Sequence, residues 1–105
     1  MNNLNHLENL VRMWAQQRGI YEHSTPQAQT LKAMSELGEL ADNILKGRHE
    51  AAKDDIGDVI VCLINVASMT GTNLSECLQK AWDDIKDRRG RMVPGGAFVK
   101  EGDNG

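Results

Sequence analysis

Aromatic side chains are nearly missing from this 105-residue chain: Trp14, Tyr21, Trp82 and Phe98 are all there is. Each has a packing explanation, so no aromatic cluster announces a stacking surface or a base preference. Cysteine is equally scarce. Cys62 and Cys77 form no Cys-x-x-Cys unit and lie in helical patterns, which predicts reduced core thiols in preference to a disulfide or a nucleophile. No apolar run approaches the about 20 residues needed to cross a bilayer, the longest being Val59 to Ile64. No charged start, apolar core and small-residue cleavage site opens the chain, and a cytoplasmic protein with no membrane contact is expected. Nor is there an excess of cations. A formal net charge of −3 gives no general attraction to a phosphate backbone, so no nucleic-acid partner is expected. The phosphate-cradling Gly-x-x-x-x-Gly-Lys-Ser/Thr loop and the dinucleotide fingerprint are absent, and His6, His23 and His49 lack metal-ligand spacing.

What remains is a chain of 40% hydrophobic and 26% charged residues, sized for one domain over residues 1–105. Its periodicity is helical. Leu4, Leu7, Val11 and Trp14 share one face of a helix from about Asn3 to Arg18, with Gly19 as a stop. Ile20 to His23 read as a loop. Ser24-Thr25-Pro26 then announces a second helix, running to about Lys46 and ended by Gly47. A third spans about Glu50 to Thr70, and Asn73-Leu74-Ser75-Glu76 is a capping box opening a fourth through Leu78, Ala81, Trp82 and Ile85. The fold class is therefore all-α, a bundle of four main helices. A short tail from about residue 91 contains Pro94-Gly95-Gly96, which suits a hairpin or a cover, and Glu101 to Gly105 suit a frayed end.

Chemistry concentrates in the second and third helices. Ser35-Glu36-Leu37-Gly38-Glu39 and Asp54-Asp55-Ile56-Gly57-Asp58 hold acidic pairs of identical spacing. Residues three apart lie side by side on a helix, so Glu36 and Glu39 project together, as do Asp55 and Asp58. Two such helices placed antiparallel would bring four carboxylates to one point, which requires a cation. Oxygen ligands favour magnesium, with manganese as a substitute. From Ile56 to Ala67 the third helix is apolar all round except at Gly57, Asp58 and Asn65, which predicts burial of the helix and enclosure of Asp58. Gln29, Lys32, Glu36, Glu39 and Asn43 form the facing polar seam. Blander readings exist: the glutamates as a solvated face, and Asp58 as a cap or an ion-pair partner of Lys32 or Lys53.

The pattern resembles the all-α nucleoside triphosphate pyrophosphohydrolases of the MazG-like family. The resemblance runs from Ser24-Thr25-Pro26 through Gln29, Lys32 and Ser35-Glu36-Leu37-Gly38-Glu39-Leu40-Ala41. It continues at Ile56-Gly57-Asp58-Val59, Ile85-Lys86-Asp87-Arg88-Arg89-Gly90-Arg91-Met92 and Phe98-Val99-Lys100-Glu101. One departure is that the family usually has Glu where this chain has Asp55, a ligand one methylene shorter. The resemblance implies hydrolysis of a nucleoside or deoxynucleoside triphosphate to the monophosphate and pyrophosphate, in nucleotide-pool housecleaning. Glu36, Glu39, Asp55 and Asp58 would hold magnesium, with Glu36, Glu39 and Asp58 as the catalytic carboxylates. Lys32 and Asn65 would contact substrate or ligands, and Lys86 and Arg88 would clamp the phosphates. It also implies a homodimer or homotetramer, in keeping with the small size.

Two other readings compete. Lys86, Arg88, Arg89 and Arg91 could simply complement a helix C-terminal dipole. The acidic seam could belong to a non-catalytic helical protein that binds nucleotides or pairs with a basic partner. The Ser-Glu-Leu-Gly-Glu-Leu stretch also resembles the Nudix box locally, but that box's upstream Gly and Arg-Glu elements are missing and no mixed sheet is predicted.

Overall fold

The structure, a computed structural model, describes residues 3–102. Helices α1 (Leu4–Gln17), α2 (Ile20–His23), α3 (Pro26–Leu45), α4 (His49–Met69) and α5 (Leu74–Ile85) are followed by strands β1 (Gly90–Met92) and β2 (Phe98–Lys100). The fold is all-α with a small terminal hairpin. No single helix among the described residues is long and apolar enough to cross a membrane. The chain divides after Ser75 into two compact units.

Local chemistry sets most of the boundaries. Asn3 caps α1 by accepting the His6 amide at 2.9 Å, and Gly19, at φ 73°, lets the chain leave it in a left-handed turn. Thr25 Oγ1 accepts the Ala28 amide at 3.0 Å, and Pro26 occupies the first position of α3, where its missing N–H costs nothing. The segment expected to be a loop, Ile20–His23, is a one-turn helix closed by the Ser24 amide on the Ile20 carbonyl at 2.8 Å. Four residues are too few to carry a periodic signal.

Helices α3 and α4 make the most extensive pairing in the molecule. Residues 46–48 are all that join them, so they must run antiparallel. Their register is fixed at both ends by side-chain amides. Near one end Asn65 Nδ2 donates to Gln29 Oε1 at 3.2 Å, and near the other Asn43 Nδ2 donates to Asp55 Oδ2 at 2.6 Å. The two predicted polar seams therefore do face each other.

Burial departs from expectation. Within α4 the buried residues are Ala52, Asp55, Cys62, Ile64, Asn65 and Ala67, whereas Ile56, Ile60 and Leu63 are 49%, 37% and 43% exposed. The helix hides one side, not all of it. Asp58, predicted to be enclosed, is half-buried, and the enclosed carboxylate is Asp55. A uniformly apolar helix gives no direction to its own burial, and here the polar seam is the face that packs against α3. In α1 the same thing happens: Glu8 and Ala15 are buried, while Leu4, Leu7 and Trp14 are exposed. Of the two cysteines expected in the core, Cys62 is buried and Cys77 is exposed.

Glu8 explains its own burial. Its Oε2 accepts the Leu74 amide at 2.8 Å, at the start of α5, and lies 4.0 Å from Arg12 Nη1. A carboxylate at a helix N-terminus is favoured both by the bond and by the dipole. Ser75 Oγ adds a second tie by donating to Asn5 Oδ1 at 2.9 Å.

In the second unit β1 and β2 pair antiparallel, Gly90 opposite Lys100, Arg91 opposite Val99 and Met92 opposite Phe98. The hairpin turns at Gly95 and Gly96, both with positive φ. Gly90 is obligatory, because a β-carbon there would run into the Val99 carbonyl oxygen and the Phe98 ring. Of the tail predicted to fray, residues 103–105 lie outside the described residues.

Glu8 gives a stability test of this arrangement. Glu8→Ala leaves the Leu74 amide without its acceptor and should cost about 1–3 kcal/mol, read from urea unfolding. Glu8→Gln retains an acceptor and should lose less. Equal losses for the two would mean that the charge, not the bond, does the work.

Candidate metal centre

Glu36 and Glu39 share a face of α3, and Asp55 comes from the first half of α4. The antiparallel register brings one oxygen of each carboxylate within 4.8 Å of the other two. Glu36 is half-buried, Glu39 exposed and Asp55 buried. Asp55 is oriented from outside the cluster by the Asn43 amide, a charge-assisted bond of the kind that fixes metal ligands.

The carboxylates disturb one another. Partial burial raises the Glu36 carboxyl above the ordinary carboxylate range, the charges of Glu39 and Asp58 push it further, and the Lys32 ammonium opposes them. Asp58 is not one of the three converging oxygens, but its charge reaches Glu36 and it shares the adjoining cavity. This donor set, all oxygen and mutually repelling, fits a hard divalent cation and fits neither copper nor a structural zinc.

Beside the cluster is a cavity of about 220 Å³. Glu36, Asp58 and Lys32 lie in its lining with Gln29 and Asn65, and Trp14, Ile20, Val61 and Cys62 supply the apolar wall. The Cys62 thiol is pushed up first by burial and also by Glu36 and Asp58, against the pull of Lys32, so it stays protonated at neutral pH and adds an apolar surface, not a nucleophile. Trp14 carries the Arg18 guanidinium 4.9 Å from its ring centroid.

Of the residues singled out in the sequence, Glu36, Glu39 and Asp55 converge, and Lys32, Asp58 and Asn65 adjoin them through the cavity. Lys86 and Arg88 belong to the second unit. There Lys86 Nζ lies 3.4 Å from Asp83 Oδ1, and Arg88 lines a shallow hollow with Asp84, Asp87, Arg89, Lys100 and Glu101. Reading the sequence missed Ile20, which lines the cavity, and Tyr21, whose Oη donates to Asn65 Oδ1 at 3.0 Å. Their only signal is proximity in sequence to the cap of α3, since the one-turn helix that presents them has no pattern of its own.

An all-helical protein with clustered carboxylates between two antiparallel helices is the class these features define. Residues 24–92, more than half of the chain, match the family model of the MazG nucleotide pyrophosphohydrolase domain, and the chain belongs to that family. It is also similar to an uncharacterized 18.2 kDa protein in the rep-hol intergenic region of Haemophilus phage HP1 (strain HP1c1). The two are 39% identical over 67 residues, a stretch that covers 64% of this chain and 41% of that protein. The chain thus matches less than half the length of this relative. No solved structure matches it.

Two measurements probe the centre. Because the folded Glu36 carboxyl is raised above its ordinary 4.5, it favours folding while protonated, below its unfolded pKa, and that contribution is lost as pH rises through the folded value. With chelator present, unfolding free energy should fall over the weakly acidic range as pH rises, and Glu36→Gln should flatten that segment. An unchanged slope would count against the crowding of charge. Separately, Asn43→Ala should lower divalent-metal affinity by about 10–100-fold through loss of Asp55 orientation, measured by calorimetry.

Proposed function

We propose that this protein hydrolyses nucleoside or deoxynucleoside triphosphates to the monophosphate and pyrophosphate, with magnesium, as a housecleaning enzyme of the nucleotide pool. What carries the reading is the convergence of Glu36, Glu39 and Asp55 beside a cavity in a chain of this family. The cavity is smaller than the about 300–1,000 Å³ typical of sites that enclose a drug-sized ligand. It suits the nucleoside end of a substrate, leaving the phosphates among the carboxylates.

Glu36, Glu39 and Asp55 would hold the ion, with manganese as a substitute and Asp58 beside Glu36 as the fourth carboxylate. When bound, magnesium neutralises phosphate charge and lowers the pKa of a water. Among the residues, Lys32 in the cavity lining would offer a cation to the phosphates, and Asp58, outside the three converging carboxylates, would accept the proton of the attacking water. Asn65 and Gln29 offer amide donors and acceptors to the base. The family resemblance assigns Lys86 and Arg88 to the charge on the departing pyrophosphate.

A homodimer or homotetramer fits the exposed apolar side chains of the α3–α4 pair. Leu31, Met34 and Leu37 are 66%, 62% and 49% exposed in the single chain, and Ile60 and Leu63 join them on α4. Residues of this kind contribute about 1.5–3 kcal/mol each when fully covered. A second copy is the proposed cover.

Pyrophosphate release across canonical and modified triphosphates tests the activity. Turnover should require magnesium or manganese, and Lys86→Ala or Arg88→Ala should lower kcat/KM roughly ten- to a hundredfold while metal affinity holds. Folded, metal-loaded protein that turns over nothing in the panel would sink the enzyme reading; retained nucleotide binding would then leave a non-catalytic binder.

A further inference from the structure

Three hydrogen bonds run in series through the polar side of the cavity. Tyr21 Oη donates to Asn65 Oδ1 at 3.0 Å, Asn65 Nδ2 to Gln29 Oε1 at 3.2 Å, and Gln29 Nε2 to Ser24 Oγ at 3.0 Å. Asn65 is 2% exposed, so its amide depends on these partners. Both ends of the series are hydroxyls, each able to donate or accept. Both inner members are carboxamides, whose oxygen and nitrogen exchange places by a half-turn. Turning both amides and swinging both hydroxyl protons reverses the series without losing a bond: Asn65 then donates to Tyr21, Gln29 to Asn65 and Ser24 to Gln29. An ammonium or a carboxylate at either end would forbid this, because each has only one polarity.

Each carboxamide keeps a second N–H and a second oxygen lone pair beyond this series. Those spare groups trade places on reversal. A point in the cavity that meets an N–H in one arrangement meets a carbonyl oxygen in the other.

We propose that Tyr21 and Ser24, neither of which lines the cavity, are specificity-determining residues that let the Asn65–Gln29 pair present either hydrogen-bond polarity to a nucleobase. The site then accepts bases carrying an amino group and bases carrying a carbonyl oxygen at the same ring position. This rests on the nucleotide reading above. A site of fixed polarity rejects a substrate lacking the matching group by about 10⁴–10⁵-fold. A reversible one discriminates far less.

Cytidine and uridine triphosphates differ in this way, and the ratio of their kcat/KM values is the readout. It is taken within one preparation, so a partly inactive variant does not distort it. The wild-type ratio should lie within about tenfold of unity, the scale of one ordinary hydrogen bond. Tyr21→Phe leaves the Asn65 atom facing it without a partner. A buried orphan carbonyl oxygen is better tolerated than an orphan N–H, so oxygen stays there and one polarity is favoured. Ser24→Ala does the same at the Gln29 end and favours the reverse polarity. The two variants should therefore shift the ratio in opposite directions, each by roughly three- to tenfold. Shifts in the same direction, no shift, or a wild-type preference of about 10⁴-fold would overturn the proposal. If no triphosphate is turned over, the enzyme reading fails, and the same ratio is taken from dissociation constants of cytidine and uridine monophosphates by calorimetry. Opposite shifts there sustain the proposal, and failure of both monophosphates to bind overturns it.

Discussion

Like charges forced together organise this molecule. Glu36, Glu39 and Asp55 bring oxygens within 4.8 Å of one another, and Asp58 adds its field from the side. Left alone, such a cluster opposes folding, since each unpaired charge brought out of water costs several kcal/mol in the limit of full burial. The chain limits that cost by leaving Glu39 exposed and Glu36 half-buried, and by giving Asp55, the enclosed member of these three, the Asn43 amide. The surrounding structure can be understood as what keeps those groups adjacent in spite of their repulsion: two long helices, a short connection, and a side-chain amide hydrogen bond at each end of the pairing.

The same constraint explains why so little of the core is large. Its buried apolar residues are mostly Ala15, Ala33, Ala52 and Ala67, with Cys62 and Ile64. Small side chains let helix backbones approach closely, which short carboxylate and carboxamide side chains need in order to meet across the seam. The larger apolar residues are displaced to the outer faces, where a second copy of the chain is the proposed cover.

Much of this was legible in the residues themselves. Acidic pairs three apart, a Thr-Pro start, and glycines just past helix ends are local signals with local causes, and the structure places helix boundaries within a residue or so of where those signals put them. The facing of the two polar seams was legible too, because a short connection leaves few alternatives to antiparallel packing. Direction of burial was not. Along Ile56 to Ala67 nearly every side is apolar, so the pattern predicts burial all round and cannot tell which apolar side stays exposed, and the enclosed carboxylate of the seam is Asp55 where Asp58 was expected. Contacts between distant segments were equally hidden. Glu8 finds the Leu74 amide 66 positions along the chain, and Tyr21 finds Asn65, and no periodicity records either.

The converging carboxylates and the amide that orients Asp55 are confined to one helical hairpin, with Glu36, Glu39 and Asn43 on its first arm and Asp55 on its second. Length added before α3 or after α4 leaves their spacing untouched. One residue gained or lost inside α3 between Glu39 and Asn43 is another matter. It would turn Asn43 about the helix axis by about 100° relative to Glu36 and Glu39, so that Asp55 could no longer meet the glutamates and the Asn43 amide together. The hairpin is thus open to growth at its ends and closed to it within, and the boundary between the two regimes is set by the pitch of a helix.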